Sequence, residues 1–136
     1  DIFLKYQDDQ EKSFLALLGI PVISCAQFYK NYYLPSMETC SNEIRDLGSL
    51  SILKSLKLLC ESDDNFKEIL KRTPFIPCNE LENKKEEGKE LLKPPSELYD
   101  PSVTEMVRLL PGSCFPSTRF LEIESSTEVV SRYNLF

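Results

Sequence analysis

The sequence predicts an α+β fold that is mostly α, with several short helices and one long helix packed around a small β-hairpin. Short stretches with apolar residues three or four apart, bounded by capping residues, glycine or proline, indicate the short helices. Apolar residues that recur about every three positions over residues 39–59 indicate the long helix. Two short apolar stretches with prolines, 74–77 and 91–94, predict the two strands of the hairpin.

The N-terminal part predicts two short helices. The first covers residues 11–18 and ends at Gly19, since glycine is favoured just after a helix C-terminus. The second covers residues 25–34; Ser24 begins it in a capping-box pattern, and Pro35 is expected to end it. Four aromatic residues fall at helical intervals along this second helix: Phe28, Tyr29, Tyr32 and Tyr33. They predict a core and core-rim cluster, with a peptide-binding platform as the alternative.

The middle of the chain predicts two more helices. The long one, over residues 39–59, is expected to be weakened at Gly48, because glycine lowers helix stability. The other covers residues 63–72. Residues 62–64 supply a serine cap and two carboxylates, which the partial positive charge of a helix N-terminus favours.

The predicted hairpin encloses residues 79–90, a run rich in Lys and Glu that indicates a solvated, mobile, charged loop at its tip. After the hairpin, Ser102 and Glu105 have capping-box spacing and predict a helix that ends before Pro111. Its apolar side would carry Val103, Met106, Val107 and Leu110. A last short helix is expected around residues 129–130.

Composition excludes several classes of protein. The formal net charge is −6 and basic residues are scattered, so nucleic acid is not an expected partner. The apolar runs are far shorter than the roughly 20 residues that cross a bilayer, so we expect no membrane insertion. Five cysteines without a Cys-x-x-Cys pair predict reduced thiols and a cytoplasmic protein.

The usual chemical machinery is missing from the sequence. There is no histidine, which excludes the common Ser and Cys triads and makes a structural zinc site improbable. The four glycines are dispersed, so no phosphate-binding loop is indicated. We therefore predict no catalytic, cofactor-binding or metal-binding residues. An enzyme of unfamiliar type would need a cleft in which Lys, Tyr and Glu converge with shifted pKa values.

Two pairs of segments resemble the large internal repeats of the sacsin family. Residues 18–24 and 28–35 are similar to the linker and helix of such a repeat. Residues 73–77 and 92–101 are similar to its proline-framed hairpin and its Pro-Ser-Glu-Leu-Tyr-Asp-Pro element. The resemblance begins at about residue 11, and it identifies residues 1–136 as one domain within a larger repeat.

The resemblance implies a giant cytoplasmic co-chaperone with a ubiquitin-like region, GHKL-type ATPase domains and a J domain that engages the seventy-kilodalton heat-shock chaperone. This segment lacks the ATPase signatures, so it would be a non-catalytic structural or regulatory part. Its partners would be neighbouring domains of the same chain and, through the parent, the heat-shock machinery and protein clients. The alternative is a client- or partner-binding module with an apolar groove near the aromatic helix.

Overall fold

The computed structural model describes residue 5 and residues 7–78 and 91–136. It confirms the predicted α+β class, with short helices and a two-stranded antiparallel sheet. The first helices in chain order are α1 (Asp9–Leu17), α2 (Cys25–Phe28), α3 (Leu34–Ser36), α4 (Asn42–Lys54), α5 (Leu56–Ser62) and α6 (Phe66–Arg72). They are followed by β1 (Ile76–Cys78), β2 (Leu91–Lys93), α7 (Thr104–Leu109), α8 (Thr118–Leu121) and α9 (Ser126–Arg132). Shorter turns are π-helical at Tyr29–Tyr33 and 3-10 helical at Met37–Thr39, Pro95–Glu97 and Gly112–Cys114.

The hairpin forms where the prolines predicted it. Ile76 pairs with Lys93, and Cys78 pairs with Leu91. The backbone also ties this sheet to the C-terminal part, since Ser117 N–H donates to the Pro77 carbonyl at 2.8 Å. The predicted charged loop at residues 79–90 lies outside the described residues.

Gly19 follows the end of α1 and Ser24 begins α2, as predicted, while α1 begins at Asp9, two residues before the predicted start. Gly19 adopts a φ of +75°, and Ile20 N–H reaches back to the Leu15 carbonyl at 3.0 Å, which closes the end of α1. At α2 the capping box is complete: Gln27 N–H donates to Ser24 Oγ at 3.2 Å, and Ser24 N–H donates to Gln27 Oε1 at 3.0 Å.

The prediction that Pro35 ends the aromatic helix was wrong. The chain passes from α2 through the π-helical turn into α3, where Pro35 lies in the first turn. A proline is tolerated there because the first turn of a helix does not use all its N–H groups. The helical path continues to Thr39, five residues past the predicted end at residue 34.

The prediction of a single long helix over residues 39–59 was also wrong. The chain breaks at Ser55 into α4 and α5. A spacing of three drifts around a continuous helix, and the break lets Leu56 and Leu59 reach the core with Ile52. Gly48, the expected weak point, lies within unbroken α4.

Two further caps differ from prediction. α6 begins at Phe66 rather than residue 63; its cap residue is Asn65, while Asp63 instead accepts a hydrogen bond from Asn65 N–H at 2.9 Å. The Ser102–Glu105 capping box is absent, since α7 begins at Thr104 and Ser102 turns toward Asp100. The last helix, α9, is confirmed, and Val130 is fully buried on it.

One apolar cluster joins the described elements from α2 to the C-terminus. Its largest fully buried side chains include Phe66, Phe75, Phe120, Met37, Ile52 and Leu135. α1 and α7 contribute no buried residue to it. Among the described residues, no helix has both the length and the apolar character needed to span a membrane.

Candidate functional site

The aromatic helix presents two faces. On the inner face, the hydroxyls of Tyr29 and Ser51 lie 2.6 Å apart, and Tyr33 O–H donates to the Ile44 carbonyl at 2.8 Å. On the outer face, the rings of Phe28 and Tyr32 stack with centroids 6.4 Å apart. Two residues of the cluster therefore pack against α4, as the core interpretation predicted, and the other two stack on each other outside that contact.

The inner face is fitted against Gly48 of α4. A β-carbon at residue 48 would lie 1.6 Å from the Tyr33 hydroxyl oxygen and 1.9 Å from its Cζ. The missing side chain therefore provides the space that the phenol ring occupies. The sequence indicated Gly48 as a weak point in a helix. In the structure, Gly48 lets two helical segments pack closely.

This packing makes Tyr33 sensitive to alkaline pH. Burial is the largest cause that raises the pKa of Tyr33 to about 12 from its usual 10. The folded state therefore holds the proton more tightly than the unfolded state. The resulting stabilisation is complete below pH 10 and is lost as the pH rises through 12.

We predict that the melting temperature falls between pH 10 and pH 12, and that Tyr33→Phe removes part of this fall because phenylalanine does not ionise. Tyr32→Phe, at the exposed partner on the same helix, is the control and should keep the wild-type profile. Melting followed by circular dichroism across this pH range checks the prediction. Identical alkaline profiles for wild type and Tyr33→Phe would contradict the assignment.

Arg45 is a buried cation on α4, with 3% of its surface exposed. Its Nε donates to the Met37 carbonyl at 2.7 Å, and a terminal nitrogen donates to the Glu38 carbonyl at 2.9 Å. These carbonyls stand at the end of the helical path that began at α2, where a cation is favoured. Arg45 therefore links α4 to the C-terminal end of this helical path through hydrogen bonds.

Ion pairs connect other helices to this region. Lys30 and Asp63 are 2.7 Å apart, and the hydrogen bond from Lys30 is the main cause that lowers the pKa of the Asp63 carboxyl. Arg119 of α8 approaches Asp46 of α4 at 3.2 Å. Both ion pairs join elements that are distant in sequence, as expected of interactions that stabilise the fold.

Asp100 organises the turn before α7. Its carboxylate accepts from Ser102 N–H at 2.9 Å and from Ser102 O–H at 2.7 Å. Burial alone would raise the pKa of Asp100, but hydrogen bonds from Ser102 and from Ser131 of α9 outweigh it, and the pKa is lowered. The same residues line an open hollow of about 410 Å³ with Thr127, Glu128 and Arg132.

Asp100→Ala is expected to lower the free energy of unfolding by about 1 kcal/mol, because it removes a turn acceptor. The lowered pKa means that this stabilisation is present above about pH 4 and is lost on acidification through the folded-state pKa. The difference between wild type and variant should therefore shrink at low pH. Asp64→Ala, at an exposed position, is the control in thermal melts; equal melting temperatures for wild type and Asp100→Ala at neutral pH would remove Asp100 from this role.

Within residues 7–78 and 91–136, no group of three His, Cys, Asp or Glu side chains is placed to hold a metal ion. All five cysteines are free thiols, and Cys78 is buried in the sheet. Among the described tyrosines, Tyr33 is the one with a strongly raised pKa, and its hydroxyl donates to a backbone carbonyl.

Large apolar side chains lie exposed on the two helices outside the core. On α1 and just after it, Phe14 and Leu18 are each 60% exposed and Leu17 is 86% exposed. On and beside α7, Val103, Val107 and Leu109 are exposed. Of the predicted apolar side of α7, Val103 and Val107 are exposed while Met106 and Leu110 are partly buried, so this side is only partly covered in the described structure.

Comparison with known proteins gives no assignment: the chain matches no family model, no curated protein and no solved structure.

Proposed function

We infer that this chain is a non-catalytic structural and regulatory segment of a giant cytoplasmic co-chaperone of the sacsin type, acting with the seventy-kilodalton heat-shock chaperone machinery in protein quality control. The parent is proposed from the resemblance of residues 18–24, 28–35, 73–77 and 92–101 to the sacsin repeats. The role within the parent is proposed from the structure. The segment would contact neighbouring domains of the same chain directly, and it would act on clients through the parent protein.

One observation supports the structural role: buried polar side chains donate hydrogen bonds to backbone carbonyls and so link separate segments of the chain. Arg45 joins α4 to the end of the preceding helical path, and Ser126 Oγ donates to the Phe120 carbonyl at 2.8 Å to fix the turn between α8 and α9. A catalytic site leaves such groups facing a cleft where they can meet a substrate. Here they rigidify the core, which suits a part that holds other domains in position.

A second candidate is a client-binding module, favoured by one feature of the aromatic helix. Tyr32 is 41% exposed and stacks on Phe28, so this pair offers an apolar surface with a hydroxyl at its edge. Such surfaces are common at protein interfaces. The inner pair, Tyr29 and Tyr33, is hydrogen-bonded to α4, so only the outer pair could serve this role.

Heat-induced aggregation of a client protein, without nucleotide, separates the two candidates. The 136-residue chain is compared with an inert acidic protein of similar size and with its own Tyr32→Ser variant. The structural role predicts no protection of the client by either form. Protection by the wild type that is lost in Tyr32→Ser would replace the structural role with client binding at the aromatic helix.

A further inference from the structure

α1 is a short helix with little packing in the described structure, where Leu15 is partly buried and its other residues are exposed. It has nine residues, none of which is buried in the described structure. An isolated helix shorter than about 12–15 residues is only marginally stable in water, even with good helix formers. α1 has well-formed ends, with Asp8 accepting from Glu11 N–H at 2.8 Å and Gly19 closing the other end, but it lacks the packing that normally stabilises a helix.

The exposed apolar residues of α1 form one stripe. Phe14 is three residues from Leu17 and four from Leu18, and residues so spaced lie side by side on a helix surface. An open hollow of about 640 Å³ lies on another face of α1, where it is lined by Asp9, Lys12, Ser13 and Ala16 together with Gly19, Ile20, Pro21 and Val22. None of the three stripe residues lines that hollow, so a partner helix would contact the stripe alone.

Charge indicates what kind of helix would fit. α1 and its cap carry three acidic residues, Asp8, Asp9 and Glu11, against one basic residue, Lys12, and the last turn carries no basic residue. The chain as a whole has a formal net charge of −6. A cationic partner is therefore favoured over an anionic one, both in approach and at the rim of the contact.

We propose that α1 is a docking helix for a basic amphipathic helix of another domain or protein, with the stripe Phe14, Leu17 and Leu18 in contact with the partner's apolar side. A second copy of this chain fits less well, because its α1 carries the same acidic surplus. A three-residue stripe is also small beside the roughly 1,600 Å² of a standard stable interface. This inference goes beyond the proposed function and holds whether or not the parent is a sacsin-type co-chaperone.

The test uses two fluorescent synthetic helical peptides of equal length, one built from Leu and Lys and the other from the same Leu positions with Glu. Fluorescence anisotropy should show that the Leu/Lys peptide binds the chain and that the Leu/Glu peptide does not. Leu17→Glu should weaken binding about tenfold, because it places a charge in the apolar stripe. Leu58→Glu, on α5 where the leucine is 68% exposed, is the matched control and should bind at least as well as the wild type.

The sign of the Leu17→Glu effect decides the result. Attraction by charge alone would strengthen when a negative charge is added, whereas apolar docking weakens. Unchanged or tighter binding by Leu17→Glu would overturn the proposal, and so would equal binding of both peptides. Leu17→Gln, which adds no charge, should also weaken binding and covers the case in which the glutamate disturbs α1. Concentration-dependent dimerisation, or binding to phosphatidylcholine vesicles, that is lost in Leu17→Gln would overturn it in favour of self-association or a lipid surface.

Discussion

Replacing Gly48 with alanine is expected to lower the free energy of unfolding by about 2–3 kcal/mol, as overpacking of a tight contact does. Helix propensity alone predicts the opposite, a gain of about 1 kcal/mol for Gly→Ala inside a helix. The structure decides between them, because the new methyl would lie 1.6 Å from the Tyr33 hydroxyl oxygen. Tyr33 would have to leave its hydrogen bond with the Ile44 carbonyl, and α4 would separate from the aromatic helix.

Urea denaturation measures this effect. Leu47→Ala, one residue away and 68% exposed, is the control and should change stability by less than about 0.5 kcal/mol. In a Tyr33→Leu background, Gly48→Ala should cost much less than in the wild type, since the two residues share one contact. If Gly48→Ala raises the stability of the otherwise wild-type chain, then Gly48 is only a weak point in the helix.

Arg45→Met is expected to lower the free energy of unfolding by about 3 kcal/mol. It preserves much of the side-chain volume but removes the charge-assisted hydrogen bonds from the guanidinium to the Met37 and Glu38 carbonyls. Arg45→Lys should recover only part of this loss, because an ammonium group lacks the planar fork of donors. We therefore expect that only arginine at residue 45 gives full stability at the end of this helical path.

The control for Arg45 is Arg72→Met. The Arg72 side chain is 80% exposed and lies 3.9 Å from Glu68, so its removal should change stability by less than about 0.5 kcal/mol. Chemical denaturation of the three variants gives the comparison. If Arg45→Met unfolds at the same urea concentration as Arg72→Met, the buried guanidinium does not fasten α4.

Local signals in the sequence were sufficient for the elements that local chemistry determines. Prolines beside short apolar runs predicted the hairpin, Gly19 predicted the end of α1, and Ser24 with Gln27 predicted the capping box. Each depends on residues within a few positions. Pro35 shows the limit of such signals, because the preceding π-helical turn places it in a first turn that accepts proline.

Features that depend on tertiary contacts could not be predicted in the same way. Gly48 has the same local signature whether it weakens a helix or makes room for a tyrosine 15 positions away in sequence. Periodicity gave α7 an apolar side, but whether that side meets the core depends on the path of the chain between Pro101 and α8. Arg45 gave no signal as a buried residue, since arginine on a helix is usually a surface residue.

Cross-linking of the full-length protein, as it occurs in cells, tests the proposed structural role most directly. Amine-reactive cross-linking with mass spectrometry would use the lysines of this segment, and a cross-link within the segment serves as the internal control. We expect cross-links from this segment to a neighbouring domain of the same chain. Abundant cross-links within the segment, with none to any other domain, would contradict it.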